Sequence, residues 1–174
     1  MTQQPSYLED RVSQLPAVRL LMALGWQYLA PQDAISARNG KVSGVLLNTI
    51  LTDWLSRRTF AHKGRRYPFS AANITAAVNT LKDVPLNQGL TAASMAIYEL
   101  LTLGKGVEQV IDGSRSSFNL DFIDWQQPAN NVYHVTDEFT VERRGSYQTR
   151  RPDIVLFVNG IPLAVIECKR PDKE

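Results

Sequence analysis

The stretch Arg151-Pro152-Asp153-Ile154-Val155-Leu156-Phe157-Val158-Asn159-Gly160-Ile161-Pro162-Leu163-Ala164-Val165-Ile166-Glu167-Cys168-Lys169 decides the fold. It reads as two apolar strands joined at Asn159-Gly160, a dipeptide that readily takes the left-handed backbone of a tight hairpin turn. After Arg151 its only charges are Asp153, Glu167 and Lys169. Charge on so apolar a pair is costly to bury unless it meets a metal, a counter-charge or a charged substrate. Along a strand, Glu167 and Lys169 project to one face and Cys168 to the other. A plain two-residue turn would pair Asp153 with Ile166 and put it on the face opposite Glu167. A shared site therefore requires a three-residue loop (Val158-Asn159-Gly160) or a β-bulge.

If that condition is met, Asp153 and Glu167 offer hard oxygen ligands to Mg²⁺, and the Cys168 main-chain carbonyl is a further ligand. Lys169 is then placed to hold an attacking water or to neutralise charge building on a phosphate. The plainer reading is an ion pair at the sheet end with Lys169 reaching solvent. Immediately upstream, Arg143, Arg144, Arg150 and Arg151 are interleaved with Ser146, Tyr147, Gln148 and Thr149. Guanidinium pairs bidentately with phosphate. We therefore take Arg143, Arg144, Gln148, Arg150 and Arg151 as DNA contacts, against the plainer reading of a solvated loop. No helix suited to reading a major groove stands out.

Further out, the 174 residues are enough for one ordinary domain. The formal charge of +2 is too small to name a partner. Cys168 is the single cysteine, so no internal disulfide exists. Neither a signal peptide nor a membrane-length apolar run is visible, and a cytoplasmic protein is expected.

The first half has helical periodicity. Residues 7–15 and 17–24 read as short helices broken at Pro16 and stopped at Gly25. Leu47, Ile50, Leu51, Trp54 and Arg58 predict a helix over 45–59 with one buried face. Residues 62–68, with Lys63, Arg65 and Arg66, read as a basic loop. Ser70 caps a helix closed off by Pro85, and Thr91 caps another that ends at Gly104. From residue 107 the period changes. Strands are expected over 107–111, 118–125 and 132–142, with turns at Asp112-Gly113 and Gln127-Pro128. The fold class is α+β, a helical N-terminal portion (residues 1–88) packed on a mixed sheet (residues 89–174), in one continuous domain. The helices of 44–60 and 70–84 read as a covering layer, with a docking surface as the alternative. His62 and His134 have no partner at metal spacing and read as structural, and Cys168 as a small core group.

Pro-Asp followed across a hairpin by Glu-x-Lys resembles the PD-(D/E)xK nuclease superfamily. More narrowly, the run from Phe139-Thr140-Val141 through Asp153 to Lys169 resembles the N-terminal nuclease domain of type I restriction endonuclease R subunits. So do Tyr7-Leu8-Glu9-Asp10, Gly25-Trp26, Leu46-Leu47, Trp54-Leu55, Ala96-Ile97-Tyr98-Glu99-Leu100-Leu101 and Ile123-Asp124-Trp125. The resemblance implies Mg²⁺-dependent cleavage of double-stranded DNA, with Asp153, Glu167 and Lys169 at the catalytic positions. It implies methylation and specificity subunits as partners, and a downstream ATP-dependent translocase in the same polypeptide. It also offers Glu99 as an extra acid, a plain helix-surface glutamate being the alternative.

The chain departs from the family pattern by stopping five residues after Lys169 and by lacking a phosphate-binding loop for ATP. It reads as an N-terminal fragment whose nuclease core is truncated on its C-terminal side. Such a fragment is expected to be inactive alone, with Val165 and Ile166 under-buried and an open sheet edge prone to self-association. Two other readings stay open: a DNA-binding or assembly module that keeps the fold without chemistry, and a repair nuclease of the same superfamily.

Overall fold

The computed structural model describes residues 13–143 and 148–169. The helical landmarks before residue 13, Arg144 of the arginine-rich segment and the last residues after Lys169 lie outside this range. The architecture is mixed α and β. In chain order its elements are α1 (Leu15–Ala23), β1 (Gln27–Tyr28), α2 (Pro31–Ala37), α3 (Asn48–Ser56), β2 (Thr59–His62), β3 (Arg65–Pro68), α4 (Ala71–Lys82) and α5 (Leu90–Leu103). Then come β4 (Lys105–Ile111), β5 (Ser114–Leu120), a 3-10 turn (Pro128–Asn130), β6 (Tyr133–Asp137), β7 (Val141–Glu142), β8 (Thr149–Arg150), β9 (Ile154–Val158) and β10 (Ile161–Ile166). These fall into two compact units, one holding the residues up to Leu47 and those from Tyr133 onward, the other Asn48–Val132.

The first unit is built on a mixed sheet of order β1-β6-β9-β10, in which β1 runs parallel to β6 and the other pairs are antiparallel. One face is covered by α1: Val18, Val135 and Ile154 form a buried cluster with Ala17, Leu21, Trp26, Leu156, Ile166 and Cys168 packed against it. Cys168 is thus a core-facing group, as its alternation with Glu167 and Lys169 requires. On the other face Phe157 meets Phe139 edge-on at 5.3 Å. The Arg38 guanidinium lies 4.1 Å above the Phe139 ring. The β9–β10 turn has Asn159 at φ 53° and Gly160 at φ 82°, the left-handed pair its dipeptide favours. Its Gly160 carbonyl accepts from the Leu47 N–H at 2.8 Å.

In the second unit, α3 buries Leu51, Trp54 and Leu55 and packs on α4, which buries Ile74, Ala77, Val78 and Leu81. The Ser70 hydroxyl caps α4 by accepting from the Asn73 N–H at 3.2 Å. β4 and β5 form a hairpin turning at Asp112 and Gly113, both at positive φ.

Several local expectations are corrected. The helix expected over 17–24 begins two residues earlier as α1, with Pro16 in its first turn, where a missing N–H costs nothing, and most of the helix expected over 7–15 lies outside the described residues. The cap of α5 is Gly89 at φ 90°, and Thr91 lies inside the first turn. The helix expected over 45–59 is the shorter α3. Residues 62–68 are not a loop: β2 and β3 pair across a two-residue turn in which Lys63 (φ 47°) and Gly64 (φ 77°) are both left-handed. The strand expected over 132–142 is split at Glu138, which takes φ 51°.

Candidate active site

Asp153 stands just before β9 and Glu167 just after β10. The ladder between them begins at the turn with Val158 opposite Ile161 and Phe157 opposite Pro162, then slips by one residue. Leu163 is the extra residue of a β-bulge, after which Leu156 faces Ala164, Val155 faces Val165 and Ile154 faces Ile166. Carried one step further, this register sets Asp153 opposite Glu167, so the two carboxylates share a face. The turn itself has two residues, and the bulge supplies the shift that a shared site requires. Pro162, with no N–H to give, sits on the edge strand beside the bulge, where a sheet tolerates it.

Asp153 is held firmly. Its Oδ2 accepts the Cys168 N–H at 2.7 Å, tying the end of β9 to the strand that carries Glu167 and Lys169. Its own carbonyl accepts two donors, the Glu138 N–H at 2.9 Å and the Gln14 side-chain amide at 3.2 Å. Glu138 is braced in turn: its Oε1 accepts from Gln14 at 3.4 Å and its Oε2 from Arg151 Nε at 2.6 Å. These bonds hold Glu138 in a backbone conformation that non-glycine residues seldom adopt. Neighbouring Asp137 accepts the Tyr28 hydroxyl at 2.8 Å, and burial with that carboxylate pushes the Tyr28 phenol up to about 12. Gln14 carried no signal in the sequence, because its contacts with Glu138 and Asp153 lie more than a hundred positions away, and Glu138 joins the brace only through the folded sheet.

Asp153 is half-buried, whereas Glu167 and Lys169 are exposed to solvent. Beside the carboxylates, on the same face, Val155 and Val165 line an apolar hollow of about 330 Å³ with Phe139, Pro152 and Pro162. Arg143, Gln148 and Arg150 are brought together: β7 and β8 form a ribbon, and these three residues with Thr149 line an open groove of about 480 Å³. Arg151 is exposed and engaged by Glu138. Glu99 belongs to the other compact unit, exposed on α5.

Residues 6–174 match the profile of the family described as the type I restriction enzyme R protein N terminus. The chain belongs to this family. It is 29% identical over 167 residues to the type I restriction enzyme HindI endonuclease subunit of Haemophilus influenzae, covering 95% of this chain and 15% of that protein. Over 77 residues it is 36% identical to a putative type I restriction enzyme MjaIXP endonuclease subunit of Methanocaldococcus jannaschii, covering 42% of this chain and 7% of that protein. The chain therefore spans only a small part of the relatives it matches.

For this member of the R-protein N-terminal family, the donor chemistry at the hairpin end suits a hard divalent cation. It offers two carboxylates on one face and main-chain oxygen beside them. Among the described residues no three His, Cys, Asp or Glu side chains gather into a metal-holding group. A cation here would draw two side-chain ligands and complete its shell from main chain and water. No helix among the described residues is long and apolar enough to cross a membrane.

Proposed function

We propose that this chain is the nuclease portion of a type I restriction enzyme R subunit, with a PD-(D/E)xK centre that hydrolyses double-stranded DNA. The observation that carries this reading is the bulge at Leu163, which puts Asp153 and Glu167 on one face where a regular ladder would separate them. In this reading Asp153, Glu167 and the Cys168 carbonyl hold Mg²⁺. The ion, when bound, neutralises phosphate charge and makes a bound water a stronger nucleophile near neutral pH. The chain's own residues do the rest. The Cys168 N–H and the Gln14–Glu138 brace fix Asp153 in advance, so little ordering is left for the moment of reaction. Lys169 places a positive charge beside the scissile phosphate, where negative charge develops. Arg143, Arg144, Gln148, Arg150 and Arg151 hold the flanking backbone, with Arg151 exchanging Glu138 for phosphate as DNA arrives.

Recognition of the target sequence and ATP-driven translocation belong, in this reading, to the specificity and methylation subunits and to a motor domain of the same polypeptide. The test is Asp153→Asn, Glu167→Gln and Lys169→Met, each introduced singly into the assembled restriction enzyme. Cleavage should fall by roughly 100-fold or more, with DNA binding and ATP hydrolysis retained. Undiminished cleavage in any two of the three would remove the proposal.

A further inference from the structure

We propose that the unit formed by Asn48–Val132 carries a second nucleic-acid contact, made by the β2–β3 ribbon and the exposed indole of Trp125, that binds a strand with at least one unpaired base. The inference rests on the reading that the chain works on DNA, and it concerns a surface outside the carboxylate site. Its first support is charge. Arg57, Arg58, Lys63, Arg65 and Arg66 fall within ten residues, and no Asp or Glu occurs between Asp53 and Asp83. Arg57 is paired with Asp53 and Arg58 with Asp124, at the base of the ribbon. Lys63, Arg65 and Arg66 are exposed at its turn and along β3. Among the described residues none of these three forms an ion pair.

The second support is rigidity. Phe60 stacks on Phe118 of β5 with ring centroids 4.0 Å apart, and His62 meets the same ring edge-on at 5.6 Å. Arg66 Nε donates to the Thr59 hydroxyl at 2.8 Å. The cations therefore stand on an anchored ribbon, and less ordering entropy is lost when they meet phosphate.

The third support is what lies next to the ribbon. Arg66 lines a largely polar hollow of about 510 Å³ together with Arg58, Asp121, Asp124, Trp125 and Gln127. Its two arginines are matched by its two acids, so the hollow itself does not attract phosphate. It offers amide and carboxylate groups suited to a base edge. Trp125 is 57% exposed although its Nε1 is bound to the Leu101 carbonyl at 2.8 Å, which fixes the ring in place. A fixed, exposed indole beside arginines is the combination that stacks an unpaired base while cations track its backbone. An acidic protein surface would use the cations but leave the indole and the polar hollow without a role.

The test uses this chain in EDTA, with a fluorescent single strand and the matching duplex titrated at two salt concentrations. Lys63→Gln/Arg65→Gln should weaken binding and flatten its salt dependence by about 0.7 per cation removed. Trp125→Ala should cost single-strand affinity about ten-fold or more. Trp125→Phe, which keeps a stacking ring but loses the bond to Leu101, should retain most of it. Unchanged affinity and salt slope in the double variant overturns the inference. So does a double variant whose only loss is association with another protein, or a Trp125→Phe as defective as Trp125→Ala. Because cleavage is scored separately, an inert Asp153→Asn with normal binding by the ribbon variant sinks this inference alone. Undiminished cleavage in two of the three carboxylate-site variants with weakened binding by the ribbon variant sinks the nuclease reading alone.

Discussion

At the scale of single residues, His134 shows how a side chain without chemistry still leaves a signature. Its Nδ1 is buried with no hydrogen-bond partner among the described residues, and burial pushes its pKa below the usual histidine value. The unfolded chain therefore takes up the proton first as pH falls. The neutral-His contribution to stability is complete above about pH 6.5 and is lost progressively as pH falls from there toward the lower folded pKa. His134→Gln should flatten the dependence of unfolding free energy on pH between 7 and 5, measured by denaturant titration. An unaltered slope would mean another group carries it. The register condition on Asp153 and Glu167 was legible in the sequence because charge inside an apolar hairpin demands an explanation, and the bulge at Leu163 meets that condition. Arg38 was not. It is almost wholly buried, donates to the carbonyls of Ala34, Gly44 and Thr140, and lies over Phe139. Nothing local in the chain announces those acceptors.

At the scale of elements, legibility followed the strength of local chemistry. The Asn159-Gly160 and Asp112-Gly113 turns, the Ser70 cap and the Gly104 stop each have a residue whose backbone or side-chain preference declares its role. The β2–β3 turn has Lys63 where asparagine or glycine is expected, so pairing along the ribbon overrode a weak turn signal. The Gly104 stop is enforced twice over. Its φ is 75°, and a Cβ there would lie 2.6 Å from the Asn119 side-chain nitrogen, 2.7 Å from the Asp121 carboxylate and 2.9 Å from the Leu120 carbonyl. Gly104→Ala should destabilise the protein by roughly 2 kcal/mol or more, seen as a lowered denaturant midpoint. A cost no larger than that of an exposed helix substitution would show that α5 and β5 separate easily.

At the scale of the whole molecule, β10 has a strand neighbour on one side only among the described residues, and Leu163 and Val165 are 43% and 55% exposed. An open apolar edge is a template for pairing with another strand. Pro162 and the bulge blunt its first half, which leaves residues 164–166 as the available part. Val165→Lys should abolish the concentration-dependent self-association expected of this chain in sedimentation experiments. Monomeric behaviour of the unaltered chain at high concentration would refute that expectation.

The extra residue at Leu163 also makes the hairpin's tolerance to length changes one-sided. Deleting Leu163 closes the bulge and leaves Asp153 still across from Glu167, so a chain one residue shorter keeps its carboxylates together. Inserting one residue between Val165 and Ile166 has no slack to draw on and brings Ile166 opposite Asp153 instead. The shortened variant should still bind Mn²⁺ in a calorimetric titration wherever the parent does, and the lengthened one should not. In this sheet, the spatial frame survives a loss and fails on a gain.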